Sequence, residues 1–196
     1  MRTLMAPSAE LISGGSPDVA ASIATVLARF GEPALAYAAQ NGIRILPLLR
    51  RQRYRDASAA LRRLGVDVDA WPVPPAGLFV VEERTVYLRA PTAMTVAHEF
   101  GHALDCALGG GVYRSGYDTT IRSAFARARA FVTPYAATGL DEYFAEAVRA
   151  HVEINDPESP WPKATRERLR TVDWRMASFV ETLFAEVLTV PAVRAQ

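Results

Sequence analysis

Cysteine occurs once in the 196 residues, at Cys106, so no disulfide can form within the chain. Lysine also occurs once, at Lys163. The other basic residues are arginine, and 22 basic against 21 acidic residues leave a formal net charge of +1. So even a balance gives no reason to expect nucleic acid or an anionic membrane as partner. No apolar run approaches the ~20 residues that a membrane helix needs. The apolar patch after Arg2 is broken by Glu10 and by Ser13-Gly14-Gly15-Ser16 before a secretory hydrophobic region develops. A soluble chain is expected, either cytoplasmic or exported by a route other than Sec. Internal repeats and low-complexity segments are absent as well.

What is present is hydrophobic bulk. Half the residues are hydrophobic, enough for one domain over residues 1–196 with a real core. Ser16-Pro17-Asp18 reads as a helix start, with Val19, Ile23, Val26, Leu27 and Phe30 at helical spacing up to Gly31. A second helix over Pro33 to Asn41, a strand at Ile43 to Leu46 and a third helix running to Leu64 complete a largely helical N-terminal portion, residues 1–75. Arg50, Arg51, Arg53 and Arg55 crowd the start of that third helix and read as a solvated face. A proline-rich loop around Trp71 leads to a hairpin, Leu78 to Val81 and Thr85 to Leu88, which opens the remainder of the chain, residues 76–196. Helices are expected at Thr92 to Leu108, Thr120 to Val132, from Asp141 onward, Lys163 to Val172 and Trp174 to Leu188.

Two of the three histidines lie four apart, in His98-Glu99-Phe100-Gly101-His102. On a helix this spacing puts both imidazoles on one face, able to converge on a single metal ion, with Zn2+ the expected one. Glu99 is placed to hold and deprotonate a water at the metal rather than to ligate it. Asp105 is set aside as third ligand, because one straight helix does not easily bring i, i+4 and i+7 onto one tetrahedral ion. A role behind a ligand or at the helix end suits it better. The third ligand is sought in Glu142-Tyr143-Phe144-Ala145-Glu146, where Glu142, Glu146 and Arg149 share a face of an otherwise apolar helix. Glu142 is favoured as the ligand and Glu146 as an acceptor orienting a histidine ring; two acids one turn apart otherwise read as a solvated face. Val86, Tyr87 and Leu88 are expected to form an edge strand beside the histidine helix, able to bind an extended peptide by main-chain hydrogen bonds.

With both motifs in hand, His98-Glu99-Phe100-Gly101-His102-Ala103-Leu104-Asp105 and Glu142-Tyr143-Phe144-Ala145-Glu146-Ala147, the chain resembles the catalytic domain of anthrax lethal factor and the related Pro-Pro endopeptidases. The resemblance runs from about Leu78 to the terminal helices; residues 1–75 match no motif of the family. It implies an α+β, mostly helical zincin-like fold with a small mixed sheet, residues 76–196 being its catalytic core. It also implies a zinc endopeptidase with His98, His102 and Glu142 as ligands, Glu99 as general base and Glu146 behind a ligand. Tyr135, seven residues before the ligand glutamate, takes the place of the family's active-site tyrosine, a donor to the oxyanion. The implied partner is a peptide or protein substrate. Two other readings stay open: an intracellular regulatory metallopeptidase acting on one protein, and a non-catalytic, zinc-containing peptide-binding module. His151 and Cys106 have no assigned role.

Overall fold

Ser16 caps the first long helix, its hydroxyl accepting from the Val19 N–H at 3.3 Å, and Pro17 fills the first helical position. In the computed structural model, which describes residues 7–188, a short helix α1 (Pro7–Leu11) precedes this α2 (Pro17–Leu27). α2 buries Ile23 and Leu27 and tightens into a 3-10 turn ending at Gly31, whose φ of 82° favours glycine. α3 (Glu32–Gln40) leads to strand β1 (Arg44–Pro47). The single helix expected to reach Leu64 is two helices, α4 (Tyr54–Ala57) and α5 (Ala59–Leu64). Ser58 separates them: it takes an extended backbone and turns its hydroxyl to the Leu61 N–H at 3.1 Å, capping α5.

β2 (Gly77–Val80) and β3 (Thr85–Leu88) pair antiparallel, Phe79 opposite Val86, around a turn closed by Arg84 in the left-handed conformation. β1 lies parallel on the other side of β3, with Ile45 opposite Val86, so the sheet order is β1-β3-β2. This corrects the expectation for Val86, Tyr87 and Leu88. They are central, paired on both sides, and have no free edge for a peptide. The hairpin pattern could not reveal this, because the third strand arrives from the N-terminal portion. The edge strand beside the histidine helix is β2.

That helix, α6 (Ala93–Leu108), starts where Thr92 accepts from the Thr95 N–H at 3.2 Å and stops at Gly109. α7 (Thr119–Arg127), capped by Asp118, ends short of the expected Val132. Ala128 turns extended there, which lets Phe131 pack on the rings of Phe125 and Tyr143, 5.4 and 5.8 Å away, while Val132 is buried. α8 (Leu140–Val152) begins one residue before the expected Asp141, capped by Gly139, with Asp141 in its first turn. α9 (Arg166–Val172) and α10 (Trp174–Thr182) follow, the latter continuing as a π turn over Leu183–Val187.

α6 and α8 cross at the centre of the core, burying Phe100, Leu104, Phe144 and Val148 between their neighbours. α2 and α3 back α6, with Phe30 edge-on to Phe100 at 4.8 Å, and α9 and α10 back α8. The result is mostly helical with one small mixed sheet. Among the described residues no single helix is long and apolar enough to cross a membrane.

Candidate metal centre

The crossing of α6 and α8 is close because Gly101 has no side chain: a Cβ there would stand 2.9 Å from the Ala145 Cα. Backbones this near let a short carboxylate on α8 reach both imidazoles of α6. His98 Nε2 lies 3.0 Å and His102 Nε2 3.3 Å from Glu142 Oε2, and the two imidazole nitrogens are 3.1 Å apart. These three donors form a group that could hold a metal ion. The residues fit one. Among the described residues Glu142 Oε2 is buried without a hydrogen-bond partner although it faces two ring nitrogens, and two neutral imidazoles with one carboxylate are the donor set zinc accepts. Burial opposes ionisation of Glu142, yet His102 and His98 hold its carboxyl down at about 2.

Glu146, one turn further along α8, orients the first imidazole. Its Oε1 meets His98 Nδ1 at 2.9 Å, which leaves Nε2 turned toward Glu142. The carboxylate is in turn gripped by the Arg149 guanidinium at 2.8 and 2.7 Å and accepts from the Thr133 hydroxyl at 2.6 Å. Burial works against its charge, but His98 and Arg149 keep it well below the usual carboxylate range. Arg149 was legible as a neighbour on the helix face; nothing in the sequence marked Thr133 as a partner.

Glu99 points to the strand side. It is 8% exposed, and burial pushes its carboxyl up despite His98, His102 and a hydrogen bond from the Phe79 N–H of β2. β2 runs so close that a Cβ on Gly77 would meet Glu99 Cγ at 2.5 Å. Tyr135 stands across the site in a 3-10 turn before α8, its hydroxyl donating to Glu142 Oε1 at 3.0 Å. Its ring is 41% exposed, 5.4 Å from His98 and edge-on to Trp161 at 6.0 Å. Burial and Glu142 raise the phenol, so it stays protonated. His98, Glu99 and Tyr135 share a cleft of about 300 Å³ with Gly77, Met94 and Trp161. Met94 and Trp161 are wall residues without any sequence signature of a site. Val86, Tyr87 and Leu88 do not line it.

The fold class is a mostly helical domain with a mixed three-stranded sheet, the histidine pair and the glutamate being carried on two crossed central helices. No protein-family model matches the chain, and no curated protein matches it in sequence. Among solved structures it is similar to the Pro-Pro endopeptidase PPEP-2 from Paenibacillus alvei, with a TM-score of 0.64 and 20% identity, covering 90% of this chain and 99% of that one. The two chains share a fold over nearly their whole length.

Proposed function

We propose that this protein is a zinc-dependent endopeptidase. The observation that carries the reading is the convergence of His98 Nε2, His102 Nε2 and buried Glu142 Oε2, with Tyr135 bonded to Glu142 and Glu99 and Tyr135 sharing a cleft with His98. The fold shared with a Pro-Pro endopeptidase supports it. Zinc, held by His98, His102 and Glu142, would supply a Lewis acid that acidifies a water and polarises the scissile carbonyl.

The chain's own groups do the rest. Glu99 takes the proton of the attacking water and passes it to the leaving amine, and a carboxyl raised by burial is a better base for that work near neutral pH. Tyr135, protonated and partly exposed, donates to the oxyanion. Glu146, anchored by Arg149 and Thr133, keeps His98 turned toward the ion. An extended substrate would lie along β2, the edge strand next to α6 among the described residues, rather than along Val86 to Leu88. Bonds flanked by consecutive prolines are the first candidates, after the structural neighbour.

The test is a Glu99→Gln variant, assayed by mass spectrometry on a peptide library that includes Pro-Pro sequences, with zinc measured in the same samples. Retained zinc and lost cleavage are expected. Full peptidase activity in Glu99→Gln would sink the mechanism.

A further inference from the structure

We infer that Tyr113 is a positioning residue for His102, delivered by a loop that Asp105 pins to the helix. The inference rests on the reading of His102 as a metal ligand. The two histidines are held by different means. His98 has its Nδ1 fixed by Glu146, whereas His102 Nδ1 is buried and has no hydrogen-bond partner among the described residues, so no carboxylate or carbonyl of theirs sets the rotation of that ring. Metal-bound histidines ordinarily have such a partner. In its place are two rings, His98 edge-on at 4.7 Å and Tyr113 at 5.7 Å with a 48° tilt. Tyr113 is itself braced on Phe79 of β2, 6.2 Å between centroids.

The loop that carries Tyr113 is built to press back on α6. A Cβ at Gly109 would lie 1.9 Å from the Val112 carbonyl oxygen and 2.8 Å from the Arg114 nitrogen, so the chain doubles over the helix end at a point only glycine allows. The Gly111 N–H donates to the Cys106 carbonyl at 2.9 Å. Beyond Tyr113, Ser115 closes the loop: its N–H reaches Asp105 Oδ1 at 2.8 Å and its hydroxyl Asp105 Oδ2 at 2.5 Å, with both residues fully buried. Asp105 follows His102 by three positions, so the clamp grips α6 on the turn next to the ligand. His102 cannot swing out without pushing Tyr113 against Phe79 and straining that clamp. Asp105, rejected as a ligand by its spacing, thereby acts on the neighbouring histidine through Ser115 and Tyr113.

The experiment compares the wild type with Tyr113→Phe, Tyr113→Leu and Tyr113→Ala. The readouts are the zinc dissociation constant by chelator competition, the visible spectrum of the Co2+-substituted protein, and thermal unfolding to establish folding. Tyr113→Phe is expected to match the wild type within about twofold, while Leu and Ala weaken zinc binding about 10- to 100-fold and shift the cobalt bands. A folded Leu or Ala variant with wild-type affinity and an unchanged cobalt spectrum overturns the inference, as does a Phe variant as weak as Ala. If Leu and Ala fail to fold, Ser115→Ala loosens the clamp with Tyr113 in place; about three- to tenfold weaker zinc supports the inference and unchanged affinity overturns it. A wild type that binds no zinc instead removes the metal reading beneath it.

Discussion

Gly101 and Ala145 meet where α6 crosses α8, and a single methyl group does not fit between them. A Cβ on Gly101 would lie 2.9 Å from the Ala145 Cα and 3.1 Å from both its Cβ and its carbonyl oxygen. Two of the three neighbours are backbone atoms, so relief requires moving a helix. Gly101→Ala is therefore expected to cost about 1–3 kcal/mol by overpacking and to push Glu142 away from His98 and His102. Thermal unfolding and zinc titration of the same variant measure the two effects, which should appear together.

Gly77 offers the complementary test on the other side of α6. A Cβ there would strike Glu99 Cγ at 2.5 Å and Thr95 Cγ2 at 2.8 Å, both of them side chains. Gly77→Ala should accordingly spare zinc affinity and displace the base. A fall in kcat of about 10- to 100-fold is expected, with zinc content unchanged. Loss of zinc would show that β2 supports the ligands as well.

The buried pair of Glu146 and Arg149 separates stability from metal binding. Glu146→Gln leaves Arg149, 2% exposed, without its countercharge, and about 3–5 kcal/mol of stability should be lost. His98 loses its anchor at the same time, and zinc binding should weaken about 10- to 100-fold. The double variant Glu146→Gln, Arg149→Met removes the stranded charge. It should regain much of the stability and none of the zinc affinity, as denaturant unfolding and chelator competition would show.

His151, which does not line the cleft, carries an acid sensitivity of its own. Its ring stacks on Phe184 at 4.4 Å, and burial together with the Arg166 guanidinium pushes it down to about 4 from an ordinary value of 6.5. The unfolded chain therefore takes up a proton below pH 6.5 that the folded chain refuses. The contribution is whole above that pH and is lost as pH falls toward 4, by at most about 1.4 kcal/mol per unit. His151→Phe should flatten the pH dependence of Tm between 6.5 and 4 relative to wild type.

Much of the scaffold was legible because its signals are local. Ser16, Thr92 and Gly65 mark helix ends by their own hydrogen bonds and dihedrals, and the four-residue spacing of His98 and His102 needs only a helix to put both rings on one face. The breaks at Ser58 and Ala128 were not legible, since the first turn after Ser58 is completed by Glu83 of the hairpin, which accepts from the Ala60 N–H at 2.9 Å, and the turn at Ala128 places Phe131 on Tyr143 of α8. The place of β3 inside the sheet was hidden for the same reason. Glu142 could be sought by pattern because it recurs with Glu146 on an apolar helix. Tyr113 could not: it is one of seven tyrosines, in a loop whose course follows from Gly109 and Asp105 rather than from any periodicity.

The central position of β3 also bears on how the chain assembles during synthesis. β1 leaves the ribosome first but cannot pair until Thr85–Leu88 has been made, about forty residues later. At ~5–20 residues per second that interval lasts about 2–8 seconds. Through it Ile45, fully buried in the finished sheet, can be paired only on the side of Ser13, whose N–H meets the Ile45 carbonyl at 2.8 Å in the finished fold. Slower translation between β1 and β3 should therefore lower the yield of native protein, while slowing beyond α8 should matter much less.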